Sequence, residues 1–207
     1  LLNDKGQEIT GAGTGSLVIK NPFPGLMLDV YNNHARFLES YLNLNPGYYT
    51  SGDLASRDSD GHYTIRGRLD DVLNVAGHRI STQEVESALV LHPSVAEAAV
   101  VGIPDPIKGE KIAAFVALMK QDSPSASLQK QLITYVRNTI GPIAHIQTLI
   151  FSQDIPKTRS GKIMRRILRS LLQGEYDDLG DLSTLANTAH LKNLISHIKE
   201  QALCNGG

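Results

Sequence analysis

The sequence predicts an α+β fold in two parts, the second with helices packed on a small sheet. Three observations lead there. Beyond Arg68, strand-like and helix-like runs alternate over about a hundred residues. Before it, short β-rich runs are separated by Gly, Pro and Asp turns. Between the two, Leu69-Asp70-Asp71 sets adjacent carboxylates between strand-like runs, which suits an exposed joint.

The elements follow in order. Gly11-Ala12-Gly13-Thr14-Gly15 does not fit G-x-G-x-x-G and opens no helix, so it reads as a turn before the strand Leu17-Val18-Ile19. Asn21-Pro22-Phe23-Pro24-Gly25 is a second turn. Residues 35–42 place Phe37, Leu38, Tyr41 and Leu42 on one helical face, and Pro46-Gly47 ends that element. Residues 48–53 and 62–68 flank an Asp58-Gly61 turn and read as a hairpin. Asp58-Ser59-Asp60-Gly61 does not continue as a calcium loop.

In the second part, Ser81-Thr82-Gln83-Glu84 is a capping box. It opens a helix with Val85, Ala88, Leu89 and His92 on one face, stopped by His92-Pro93. The apolar runs 95–103 and 113–119 read as paired strands. Ser127 is expected to cap a helix with Leu128, Leu132, Tyr135, Val136 and Ile140 inward. Leu149-Ile150-Phe151 is a strand, and Lys162 to Leu172 a helix. From Gly174 the chain turns acidic (Glu175, Asp177, Asp178, Asp181) and ends in a weakly amphipathic helix carrying Leu191, Leu194, Ile195 and Ile198.

Composition narrows the function classes. The 207 residues carry 20 Lys and Arg against 21 Asp and Glu, a net charge of −1, which excludes a strongly basic nucleic-acid binder. No apolar run is long enough to cross a membrane as a helix. A single cysteine, Cys204, allows neither an internal disulfide nor a Cys-based zinc site, and a reducing, cytosol-like compartment is expected. The seven histidines lack close ligand spacing. The chain opens at Leu1 with residues that already read as mid-domain, so a piece of something longer is expected.

Pro156-Lys157-Thr158-Arg159-Ser160-Gly161-Lys162 is the sharpest local feature. Two lysines and an arginine around Ser-Gly could bring one cation onto a developing negative charge, although Pro156 stands where a P-loop needs glycine. Lys162, Arg165, Arg166 and Arg169 then repeat at helical spacing, a surface for RNA or an acidic partner if it is more than a solvated helix face. Asp53 follows Ser-Gly at a strand end, where its two acceptor oxygens could hold the vicinal hydroxyls of a ribose. Arg68 and Arg79 could hold phosphate.

Together, Tyr48–Asp53, Ile65–Asp71, Val75–Ile80 and Pro156–Lys162 resemble, in order and spacing, the last core motifs of the adenylate-forming enzymes: acyl-CoA synthetases, peptide-synthetase adenylation domains and luciferases. His92–Pro104 adds to the likeness. Within that family, residues 72–79, Lys162–Arg166 and Leu179–Ala186 resemble the AMP-forming acetyl-CoA synthetases. The resemblance implies that residues 1–69 end a large AMP-binding domain, in a small β-barrel-like subdomain, with a hinge at 70–71. It implies a mobile C-terminal lid at 71–173 and an acidic tail with a short helix at 174–207. The family's phosphate loop and acyl pocket would precede Leu1, so this chain alone would not turn over substrate.

The resemblance also implies roles. Asp53 would hold the ATP ribose, Arg68 the ribose and phosphate region, and Arg79 a phosphate; Lys162 would be the catalytic cation. Asp70 would be the hinge residue. Ala76 and Gly77 would line a pantetheine tunnel, and Arg137 would meet the CoA 3′-phosphate. His92 with the carbonyls of Val90 and Val95 would form a Mg²⁺ site. Lys162 would be open to acetylation, with an acetyltransferase and a deacetylase as partners. Acetate, ATP and CoA would be the substrates, with propionate or another short acid as the alternative; neither a membrane nor a nucleic acid is expected as a partner.

Overall fold

A computed structural model describes residues 1–107 and 109–205, with side chains described to Lys199; the Cys204 side chain lies outside the described residues. The chain forms two compact units, Leu1–Val72 and Leu73–Gly207.

The first unit is built on three antiparallel strands, β1 (Gly13–Ile19), β2 (Tyr49–Arg57) and β3 (Tyr63–Arg68), in that order. Among the described residues this sheet is open, not closed into a barrel. β1 starts four residues earlier than its apolar run. The cause lies at Gly15, where an added Cβ would strike the Leu2 carbonyl and the Ile9 side chain. The bare backbone lets the amino-terminal segment pair there, with Leu2 and Ser16 exchanging two hydrogen bonds of 2.9 Å. The predicted 35–42 helix is one α-turn, α1 (His34–Phe37), widened into a π-turn over Leu38–Leu42. Phe37 is buried, and Tyr41 stacks on Tyr49 with ring centroids 5.1 Å apart. The β2–β3 turn is closed by Asp58, whose carboxylate accepts from the amides of Asp60 and His62.

The second unit has five strands: β4 (Val72–Val75), β5 (His78–Ser81), β6 (Val95–Asp105), β7 (Gly109–Leu118) and β8 (Ile146–Phe151). The order is β5-β4-β7-β6, with β8 parallel to β7. The β6–β7 hairpin is its spine. Side chains alternate along both strands. Ala98, Val100, Ile112, Ala114 and Val116 enter one core, with α2 (Thr82–Val90) and α3 (Ala126–Ile140) over it. Ala99, Val101, Ala113 and Phe115 enter a second core on the other face. That face is covered by α4 (Arg165–Leu172), by Leu179 and Leu185, and by Leu191, Leu194 and Ile198 of α5 (Thr188–Asn205). The acidic stretch is therefore part of this unit: its carboxylates stay exposed while its leucines pack.

Two boundaries differ from the sequence reading. The cap of α3 is Ser125, whose hydroxyl accepts from the Leu128 amide at 3.1 Å, because the chain is still extended at Ser125 and already helical at Ser127. Tyr135 of that helix stays exposed and meets the His92 ring edge-on at 5.3 Å. α4 begins at Arg165 instead of Lys162, because residues 157–163 are held in an antiparallel pairing.

Phe115 has no solvent access in the second core. Phe115→Ala is expected to destabilise this unit by about 3–5 kcal/mol, read as a lowered denaturation midpoint in urea.

Candidate functional site

The predicted residues fall into groups, each described within its own unit. In the first unit, Asp53 and Arg68 face one another in the β2–β3 register. Gly52 precedes Asp53 with φ +80°, and a Cβ there would lie 2.8–3.0 Å from the Arg68 guanidinium. The missing side chain is thus the seat of the arginine. From it, Arg68 donates to the Ser51 carbonyl at 3.2 Å and to Asp70 at 3.1 Å, and stands 3.6 Å from the Asp53 carboxylate. The Arg68 side chain keeps 54% of its surface exposed, so these pairs orient it without tying it up. Ser51 fixes the strand end, its hydroxyl donating to the Leu17 carbonyl and accepting from the Asp53 amide. Sequence reasoning missed Gly52; the available signal was an isolated glycine inside a strand. Leu69–Asp71 form one 3₁₀ turn between β3 and β4.

In the second unit, β4 and β5 are joined by Ala76 and Gly77, both at positive φ (+52° and +81°), the pattern of a tight I′ hairpin turn. Both are exposed, as is Arg79 on β5. Ala76 carries a Cβ in a region that disfavours one.

The loop 156–164 is the most ordered of the predicted sites. Lys157 pairs across from Ile163, the Thr158 amide donates to the Lys162 carbonyl at 2.8 Å, and the Lys162 amide donates to the Thr158 hydroxyl at 3.1 Å. Gly161, at φ +84°, makes the reversal. Lys157 is bound to Glu97 at 2.6 Å and lies 3.7 Å from Asp154. Lys162 is exposed, and among the described residues its ammonium has no ion-pair partner. The two lysines of the motif are thereby told apart. The basic stripe is likewise divided: Arg165 binds both oxygens of Glu86, and Arg166 binds the carbonyls of Leu179 and Asp181. These arginines hold the fold together instead of forming a free stripe.

Arg137 is exposed in the last turn of α3. His92 follows α2; its Nδ1 takes the Ser94 amide at 3.3 Å, and Val90 and Val95 offer main-chain carbonyls alone. No carboxylate joins them in a metal-ligating group among the described residues. The set therefore offers one imidazole and two main-chain carbonyls, with water left to complete any magnesium shell, and no step below runs through a magnesium ion. Asp58, Asp60 and His62 bring ligand atoms within 4.8 Å of one another, but all three are exposed and Asp58 already closes its turn. Among the described residues no helix is long and apolar enough to cross a membrane.

The profile of the AMP-binding enzyme C-terminal domain matches residues 84–162. Acetyl-coenzyme A synthetase of Alkalilimnicola ehrlichii is 55% identical over 94% of this chain, and acetyl-coenzyme A synthetase 2 of Pseudomonas aeruginosa 54% over 95%. Residues 84–162 thus carry the C-terminal domain of the AMP-binding enzymes. The chain spans about 30% of the length of each of those relatives. Among solved structures, a benzoate CoA ligase from Burkholderia xenovorans is 33% identical, with a TM-score of 0.67 over 82% of this chain and 32% of that one. An acetoacetyl-CoA synthetase from Streptomyces lividans, 24% identical, shares the fold with a TM-score of 0.81 over 96% of this chain and 30% of that one.

The strained turn gives a measurable consequence. Ala76→Asn, which suits positive φ, is expected to raise stability by about 1 kcal/mol in urea denaturation.

Proposed function

We propose that this chain is the C-terminal portion of an ATP-dependent, AMP-forming acetyl-CoA synthetase. The observation that carries the reading is Lys162: within a tightly hydrogen-bonded loop its side chain is exposed, while the other lysine of the motif, Lys157, is paired with Glu97. The identity to acetyl-coenzyme A synthetases along nearly the whole chain supports acetate as the acid.

The chemistry runs in two steps. An acetate oxygen attacks the α-phosphorus of ATP and pyrophosphate leaves, giving acetyl-adenylate. The CoA thiolate then attacks the acyl carbon and AMP leaves. Phosphoryl displacement needs charge stabilisation more than proton transfer. Lys162 supplies it, neutralising charge between the carboxylate and the α-phosphate in the first step. Asp53 accepts from the ribose hydroxyls, and Arg68, seated on Gly52, reaches the ribose and phosphate region. Arg79 meets phosphate in one lid position.

Residues 70–71 are the hinge, with Asp70 absorbing the backbone change of a rigid lid rotation. Rotation withdraws Lys162 and brings the Ala76-Gly77 turn to the pantetheine of CoA, where the tight turn and the bare Gly77 allow close approach. Arg137 takes the 3′-phosphate. The exposed Lys162 is also the modification site: acetylation would remove its charge, through an acetyltransferase reversed by a deacetylase. A cytoplasmic location agrees with the single cysteine.

In the full-length enzyme, Lys162→Ala is expected to slow adenylation, measured by pyrophosphate release with acetate, by about 10²–10³-fold. Thioester formation from supplied acetyl-adenylate should persist; equal loss of both steps would refute the role. Greater pyrophosphate release with propionate than with acetate would move the substrate assignment. Asp70→Pro is expected to hold the lid in the adenylating position, so that adenylate forms but thioester does not; a normal overall rate would sink the hinge.

A further inference from the structure

Resting on the proposed role of Lys162, we propose that Lys157 is a positioning residue that pins the register of the loop presenting it. The loop is closed by one antiparallel bridge, Lys157 with Ile163, flanked by the Thr158-to-Lys162 and Met164-to-Pro156 hydrogen bonds, while Thr158 also bridges to Leu185. Neighbouring residues on such a paired arm point to opposite faces. Lys157 and Ile163, which are opposite one another, share the inward face, and Ile163 packs against the second core. Thr158 and Lys162 share the other face, which leaves the Lys162 ammonium exposed. A slip of one residue would turn Lys162 toward the packed face. Gly161 at φ +84° favours this register at the turn, and a side-chain pin can hold the paired arm to the sheet in the same register.

Lys157 supplies it. Its ammonium binds Glu97 on the edge strand β6 at 2.6 Å, with Asp154 at 3.7 Å on the segment that enters the loop. Glu97 has the same strand parity as Ala99 and Val101 and so faces the second core. The Asp154 carboxyl is held below the ordinary carboxylate value. Burial pushes it up, but the His190 ring, the Ile155 amide and the Lys157 charge outweigh that, so the anchor is ionised at neutral pH. The outer side of the loop is tied by Arg159 donating to the Thr184 carbonyl and by Ala186 donating to the Lys157 carbonyl, both at 2.9 Å. Beyond the loop, Arg165 binds Glu86.

The test uses the full-length enzyme and both half-reactions. Lys157→Met removes the charge at similar volume and is expected to lower the adenylation kcat by about 10- to 100-fold. The KM for ATP and thioester formation from supplied acetyl-adenylate should each stay within about twofold, because Lys157 touches neither substrate. Lys157→Arg should restore most of the rate, and Glu97→Gln should reproduce the loss from the other side of the pair should Lys157→Met fail to fold. Unchanged adenylation in Lys157→Met and Glu97→Gln, or equal loss of both half-reactions, overturns the positioning role. Lys162→Ala in the same assay separates the two levels. If it loses adenylation while Lys157→Met does not, the positioning role alone is overturned; if Lys162→Ala keeps adenylation, the reading beneath it fails as well.

Discussion

The constraint on which the second unit depends is the burial of β7 on both faces. Ile112 through Ala117 have almost no contact with solvent. An antiparallel strand can leave one face wet, but this one leaves neither, so two layers of cover are required. α2 and α3 supply the first. The second cannot come from α4 alone, an eight-residue helix about 12 Å long. Leu179, Leu185, Leu191, Leu194 and Ile198 complete it. The acidic segment is thus compelled to return across the sheet, and its return brings Thr184 and Ala186 alongside the Lys162 loop.

Charges divide accordingly into those that hold the fold and those left exposed. Lys157, Arg165 and Arg166 are partly covered or bound to fixed acceptors, and each closes the edge of the second core. Glu86 does so doubly, taking Arg165 and the Val100 amide at 2.8 Å, which would otherwise point outward from the edge strand β6. An unpaired strand edge is a liability, and a carboxylate there both satisfies it and anchors the following helix. Lys162 and Arg137 remain exposed. Similar side chains a few residues apart therefore carry different work, decided by the parity of a short paired arm.

Much of this was legible. The apolar, β-branched runs 95–103 and 113–119 indicated the strands, and the apolar spacing after Ser81 and Ser127 indicated the helices, because both signals are local. Asp53, Arg68 and Lys162 were singled out by the resemblance of their motifs, since alone they read as a turn residue and surface cations. Three features were not legible. Gly15 and Gly52 serve long-range approaches, to Leu2 and to Arg68, that no local window contains. Helical spacing from Lys162 to Arg169 suggested one helix, yet the pairing at 157–163 took its first turn. Leu179 and Leu185 are too isolated to announce burial, whereas the face of Leu191, Leu194 and Ile198 was readable; all of them cover a face shaped by strands far back in the sequence.

Two of these bear on the proposed mechanism, because the long-range contacts of Gly52 and of the 184–186 segment lie beside Arg68 and the Lys162 loop. Gly52 seats Arg68; the 184–186 segment borders Lys162; the β6 edge, through Glu97, holds Lys157. A cation used on a transferring phosphoryl group must be held to within a fraction of its own contact distance. Local sequence can place such a cation on a loop, but a loop closed by its own hydrogen bonds alone retains the freedom to slip. Only contacts from elsewhere in the fold remove that freedom. The residues that would hold Lys162 for its proposed role are therefore to be sought on the sheet edge and the returning segment as much as within the motif that contains it.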